Sequence, residues 1–256
     1  MDRLAFNASA AITEMRLARQ SLANEMANMT TTGFKRSYEV SLKAFKAEGE
    51  GFDSNYQPQA AMYMDFIKLA PGPLMATGRD LDILMNDQTV LGVQAPNGEL
   101  GFTRRGDLQV NVNGVLQTGN GHPVLGDNQS PIAIPPGFKA TITQDGGVFI
   151  HDPNQPGIQQ ETQIGQLLLR DASKTPLTRR EDGLFRAHDK PSGADFASGP
   201  VKTSVTTQAL EGSNVSPTEA MVKLIEQSRM FEQQVRMVKA SHENDQSGST
   251  MLKLST

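Results

Sequence analysis

Two stretches of this chain, one near each end, repeat the same helical spacing. Leu4, Ala8, Ala11, Met15, Ala18, Leu22 and Met29 fall on a 4-3-4-3 pattern, with polar Glu25 the exception. Met221, Leu224, Ser228, Phe231, Val235, Val238 and His242 fall on the same pattern, and Leu252 is still in phase. Such spacing is the seam of a coiled coil, in which one stripe of a helix is hidden and the rest is wet. Between the two stretches the sequence changes to Gly, Asn, Pro and short alternating runs. The predicted fold is therefore mixed: a mainly β body of short antiparallel strands, plus an N- and C-terminal helical coiled-coil stem.

Composition supports assembly over catalysis. Aromatic residues make up 5% of the chain and Trp is absent, while Gly reaches 23 and Pro 14, a lean core for 256 residues. The net charge of -4 is spread along the chain, with no basic tract to announce nucleic acid. With no Cys there are no disulfides, thiolate nucleophiles or Cys-ligated zinc. Lack of Cys also suits a chain that crosses a membrane unfolded. No apolar run approaches 18 residues, and Met1 to Ala11 do not read as a cleaved secretory signal. Taken alone, these features suggest a cytoplasmic protein.

Residues 3 to 29 are predicted as one helix, its seam carrying three small residues at Ala8, Ala11 and Ala18, with Ile12 and Met26 widening the stripe. Arg16 and Arg19 are expected on the opposite, solvated or partner-facing side. Thr30, Thr31 and Thr32 weaken the helix and Gly33 stops it. Phe34 is expected to close the bottom of a local core. Residues 37 to 70 mix two periods around Tyr38, Val40, Leu42 and Phe45, then alternate at Met62, Met64 and Phe66, so they are expected to form an extended connector with one or two strands. The body, 71 to 211, is expected to hold about ten strands. Asn113-Gly114 is its clearest hairpin signal, read as a two-residue loop with φ > 0 at both positions. Ser216, Pro217 and Glu219 form a capping box that opens the second helix, which is expected to reach about residue 245 and to fray or bend near Gly248. The chain ends, 1 to 36 and 212 to 256, would then form one helical assembly domain.

Reactive constellations are missing. The four His residues are scattered, no phosphate-binding glycine loop precedes a helix, and no calcium-loop pattern is complete. Asp80 and Asp82 share one face of a strand and read as a solvated pair. No catalytic residue, metal site, cofactor or small-molecule substrate is expected.

Several short motifs resemble those of the flagellar basal-body rod and hook proteins. Leu22-Ala23-Asn24 leads to Asn28 and then to Thr30 through Lys35, where Gly33, Phe34 and Lys35 match most closely. Gly72 to Leu84, Phe102-Thr103-Arg104-Arg105-Gly106, Gly114-Val115-Leu116 and Gly121 to Gly126 resemble successive body motifs of that family. Gly212-Ser213-Asn214-Val215, with Glu219 and Phe231-Glu232, resembles its C-terminal signature. Within the family the resemblance leans toward the proximal-rod members, carried by Met1-Asp2-Arg3, Leu81-Asp82, Val93-Gln94 and the length. One departure is Gln88-Thr89-Val90-Leu91-Gly92, where many relatives carry a glycine followed by two bulky aromatics.

The resemblance implies a structural subunit of the bacterial flagellar basal body, sited in the periplasmic rod and serving motility. It implies type III flagellar export without a cleaved signal. It also implies partners: other rod subunits, copies of the same chain and the export apparatus. The terminal helices would pair and then line a tube, with the body further out. The alternatives are a distal-rod or hook-type axial subunit, or a soluble β-rich binding module.

Overall fold

The computed structural model describes residues 2–38, 66–153 and 161–253. Helix α1 spans Asp2–Ala27 and helix α2 spans Pro217–Lys253. Between them the described strands are β1 (Ser37–Tyr38), β2 (Phe66–Ile67), β3 (Leu74–Ala76), β4 (Ile83–Met85) and β5 (Thr89–Gln94). Next come β6 (Leu100–Thr103), β7 (Leu108–Val110), β8 (Leu116–Thr118), β9 (Lys139–Ile142) and β10 (Gly147–His151). The series ends with β11 (Thr162–Gln166), β12 (Leu169–Asp171), β13 (Leu177–Arg179), β14 (Phe185–Ala187), β15 (Val205–Thr207) and β16 (Ala209–Glu211). The expected alternation at Val40, Leu42, Phe45, Met62 and Met64 lies outside the described residues. The architecture is a mostly β body of short antiparallel strands flanked by an N- and a C-terminal helix.

The described residues fall into two compact units, one of 2–27 and 216–253, the other of 28–38, 66–153 and 161–215. In the second unit a seven-stranded sheet runs β1-β2-β13-β14-β6-β5-β12. A three-stranded sheet, β11-β10-β9, and three ribbons, β15-β4, β16-β3 and β7-β8, complete it. Every described ladder is antiparallel. Strand β5 is buried on both faces, from Thr89 to Val93, because apolar residues lie above and below it. Its Gly92 lies against the Leu168 side chain, where a Cβ would collide.

Two apolar clusters stabilise this unit. The larger gathers Ile83, Met85, Leu91, Leu108, Leu116, Val148 and Leu167 among others, and the smaller centres on Phe102, Phe185 and Phe196. Phe102 and Phe196 meet edge to face with centroids 4.8 Å apart.

Three local expectations change. The β7–β8 hairpin forms, but Asn111 still bonds Val115, so the loop is three residues, 112 to 114. Only Gly114 takes positive φ, at 78°. The reason is Asn111, whose Oδ1 accepts from the backbone N–H of Asn113 and of Val115, each at 2.9 Å, and so closes a wider turn than Asn-Gly alone would. Helix α2 does not fray at Gly248. Ser247 donates to Glu243 O at 2.8 Å and Thr250 to Gln246 O at 2.7 Å, so these hydroxyls fold back onto the helix. Finally, Asp82 is not solvated: it is 1% exposed and its carboxylate oxygens accept no hydrogen bond, the nearest cation being Arg79 Nη1 at 3.6 Å. Asp80 takes the exposed position and accepts from Gln208 at 2.9 Å.

Candidate functional site

Two places in the molecule concentrate the singled-out residues. One is the helical unit. Ser216 caps α2, its Oγ accepting from the Glu219 N–H at 3.4 Å, and Glu219–Lys223 closes at 2.9 Å as an i,i+4 pair. Along α1, Met15 and Ala18 are half-buried and Leu22 is buried; the helix ends at Ala27, short of the expected residue 29, so Met29 is half-buried in the turn that follows. Leu4, Ala8 and Ala11 lie on the helical backbone, and their side chains are outside the described set. Along α2, Leu224, Ser228 and Val238 are half-buried, whereas Met221, Phe231 and Val235 are exposed. The more covered stripe is shifted by one position at alternate steps, to Ala220, Leu224, Gln227, Gln234 and Val238.

Arg16 and Arg19 do not point away from α2. With Ile12, Met15, Gln227 and Phe231 they line a small cavity of about 80 Å³. The Arg19 guanidinium lies 5.6 Å from the Phe231 ring centroid and reaches Ser228 Oγ at 3.5 Å. A long Arg can lay its stem on apolar surface and its head on a ring face, so it occupies a seam flank that a short polar residue could not.

The second place is a polar junction inside the β unit, where three distant motifs meet. After α1 the chain turns: the Thr31 N–H donates to Asn28 O at 3.2 Å, and Thr31 Oγ1 meets Asn28 Oδ1 at 3.1 Å. Thr30 is exposed on this turn. Gly33 then takes φ 69° and sits on the Arg104 carbonyl, where any Cβ would collide. Its N–H donates to Glu211 O at 2.7 Å. Phe34 is half-buried under the Arg179 guanidinium, 4.4 Å away, and belongs to neither apolar cluster. Arg179 also donates to Lys35 O.

Lys35, Arg104 and Glu211 form the centre, and all three are nearly or fully buried. Lys35 Nζ donates to Glu211 Oε1 at 2.7 Å and to Ala70 O at 2.8 Å. Arg104 donates to Glu211 Oε2 from Nε at 2.9 Å and lies 2.8 Å from it through Nη2. Arg104 Nη1 also reaches Asp87 O and Thr89 O, each at 2.8 Å. The Gly72 N–H gives Glu211 Oε1 one more donor at 3.0 Å. Two cations thus share one carboxylate, and the carboxylate's acceptor sites are filled. Burial and the Arg104 charge pull the Lys35 pKa from 10.5 to about 8, against the opposing pull of Glu211. Burial likewise lowers that of Arg104, with Glu211 opposing.

The residues after Glu211 complete the junction. Gly212 donates to Pro73 O at 2.8 Å and packs face to face with Gly72, where neither could carry a side chain. Ser213 Oγ accepts from the Val215 N–H at 3.3 Å, and Val215 is buried. Asn214 is the second hub. Its Oδ1 accepts from the Arg36 N–H at 2.7 Å, and its Nδ2 donates to Lys68 O and Ala70 O at 2.8 and 3.1 Å. Sequence reasoning named Lys35 and Gly212 to Val215 but missed that Arg104 and Glu211 belong with them. The available signal was a Lys and an Arg in motifs otherwise built of Gly, Thr and aromatics.

This junction ties chain passages together and presents no open reactive group. Among the described residues no group of three His, Cys, Asp or Glu could hold a metal ion, and no helix is long and apolar enough to cross a membrane.

Residues 206–251 match the family described as "Flagellar basal body rod FlgEFG protein C-terminal", and residues 88–150 match "Flagellar hook protein FlgE/F/G D1 domain". The flagellar basal-body rod protein FlgF of Salmonella typhimurium is 32% identical over 258 residues, spanning 100% of both chains. FlgF of Escherichia coli (strain K12) is 30% identical over 257 residues, again with 100% of both covered. The rod protein FlgG of Buchnera aphidicola subsp. Schizaphis graminum is 28% identical over 232 residues, 82% of this chain and 85% of that one. The chain belongs to the FlgE/F/G family of flagellar basal-body rod and hook proteins, as a structural subunit of the flagellar rod.

Proposed function

We propose that this chain builds the proximal part of the rod by packing its terminal helices against copies of itself and against other rod subunits. In this reading α1 and α2 pair as a coiled-coil stem through Leu4, Ala8, Ala11, Met15, Ala18, Leu22 and Met29 on one side. Met221, Leu224, Ser228, Phe231, Val235 and Val238 supply the other. The stems line a tubular drive shaft in the periplasm, reached by way of the flagellar export apparatus. Residues 1–36 and 212–256 act as the assembly part, 37–70 as the connector and 71–211 as the body. The Asn28-Thr30-Gly33-Phe34-Lys35 and Gly212-Ser213-Asn214-Val215 motifs join assembly part to body.

The observation that carries this reading is the distribution of apolar residues on α2. Met221 and Ile225 are 55% and 54% exposed, one turn apart, with Val222 beside them. Phe231 and Val235 form a second exposed pair, and Met230 and Met237 a third, seven residues apart. A helix with apolar residues on several faces is one that is covered on several faces. A single partner helix hides one stripe, so the rest requires neighbours. Higher identity and full coverage with the two FlgF proteins, compared with the FlgG relative, support the proximal position.

The test is Leu22→Asp and Phe231→Asp in cells deleted for the native copy. A carboxylate on the seam costs several kcal/mol when buried without a partner. Both variants are expected to lose incorporation into the rod and to lose swimming, with the β unit still folded. Normal swimming by both would end the seam assignment.

A further inference from the structure

We propose that residues 33–38 form a releasable arm, latched to the β unit by the Glu211 carboxylate. The arm contributes no side chain to either apolar cluster. What holds it is a set of polar bonds and two ring contacts: Gly33 to the Glu211 backbone, Lys35 to Glu211 and Ala70, Arg36 to Asn214, the Lys68 N–H to Arg36 O at 2.9 Å, Phe34 under Arg179, and Tyr38 stacked on Phe66 with centroids 5.7 Å apart. Among the described residues its strand β1 sits at the edge of the seven-stranded sheet and pairs only with β2. Strand β2 is tied to the next strand, β13, at the single pair Thr178 and Phe66. Segments held by few apolar contacts open first, below the free energy of global unfolding.

The latch has an unusual charge count. Lys35 and Arg104 share one anion, so loss of the Glu211 charge leaves two buried cations facing each other. Removing one member of a buried ion cluster is far more damaging than replacing all of it. Arg104 has other carbonyl partners and lies on the loop after β6, which is anchored by Phe102 in the smaller cluster. Lys35 has no such anchorage in the apolar core, so the arm is the part that leaves. The arm is continuous with α1 through the turn at 28–32. One carboxylate, 176 residues away in sequence, therefore decides whether the chain leading to α1 is fixed or free. The inference concerns the isolated chain and does not rest on its place in the rod.

Amide hydrogen exchange on the full chain tests it, comparing wild type, Glu211→Gln and Lys35→Met. In Glu211→Gln, exchange over 33–38 and 68–72 is expected to rise roughly tenfold or more, while β9 and β10 stay within about twofold of wild type. Lys35→Met keeps the Arg104–Glu211 pair and removes the arm's own anchor, so the arm alone is expected to speed up, by about threefold to tenfold. Equal acceleration across the arm and β9–β10 in Lys35→Met overturns the proposal, as does an unchanged arm. Should Glu211→Gln fail to fold, the Lys35→Met pattern alone decides between those outcomes.

Discussion

The junction around Glu211 and the pair of helices are held by opposite means. At the junction the groups are charged, buried and supplied with partners. Along α2 the groups are apolar, and many of them face solvent. The first is a finished interior, where geometry is fixed by directional bonds that each need a particular partner. The second is an unfinished one, where non-directional burial awaits further surface. A subunit that assembles through its helices, as proposed above, needs both: a body with a fixed interior, and helices that do not satisfy themselves.

Four measurements sharpen or break this contrast. The largest effect is expected at Arg104→Met, which strips Glu211 of two bonds and leaves the Asp87 and Thr89 carbonyls without their donor. Breaking a buried ion cluster costs about 3–5 kcal/mol. The β unit should melt much earlier, and helix content at low temperature should be unchanged. A melting temperature equal to wild type would mean that the junction is replaceable.

The next effect is on pH dependence. The Lys35 pKa is lowered from 10.5 to about 8 in the folded chain, so between those values the unfolded chain holds the extra proton. Stability therefore rises with pH from about 8 to about 10.5, and below 8 the full cost of burying the ammonium is present. A shift of that size corresponds to about 3 kcal/mol. Denaturant titrations at pH 7 and pH 10.5 should show this gain in wild type and its loss in Lys35→Met. Equal slopes in the two proteins would rule Lys35 out as the source.

A smaller effect is expected at Gly114→Val, in the β7–β8 hairpin. Gly114 has φ 78°, and a Cβ there would lie 2.6 Å from Ile134 O. Strain of this kind costs on the order of 1–3 kcal/mol. The variant lowers the melting temperature of the β unit while arm exchange and helix content stay as they were. Were the arm to loosen equally, the two halves of that unit would be one cooperative block.

The smallest effect is expected on the helices. Arg19→Gln removes a guanidinium from the Phe231 ring at an exposed site, worth roughly 0.5–1 kcal/mol. Reversing both Arg16 and Arg19 to Glu should weaken the pairing further and impair rod assembly without unfolding the β unit. Adding Glu226→Arg and Glu232→Arg tests whether these acids are the partners. Glu232 lies 3.7 Å from Arg236 in its own helix, and Arg19 engages α2 of its own chain, so only partial restoration is expected.

The sequence showed the helices and the capping box because these are local: a 3.6-residue period and a three-residue motif are visible in one stretch. The antiparallel β body was legible as a class, but several of the sixteen described strands are two or three residues long, too short to display a period. Arg16 and Arg19 are exposed as their polarity suggests, but they lie beside Phe231 of α2, a position that polarity alone does not reveal. Asp82 was misjudged because polarity was taken for exposure. Glu211 was invisible because its partners lie 176 and 107 residues away, and no local pattern encodes such a meeting.

Three short motifs, none distinctive alone, converge on one cluster of two cations and one anion. Their fates are linked through the anion: without Glu211 two cations are left facing each other in a dry place, whereas loss of the Lys35 charge alone leaves a balanced Arg104–Glu211 pair. A lineage that abandons the anion before the cations must pass through an unstable intermediate. That barrier gives fragments so short the power to mark descent.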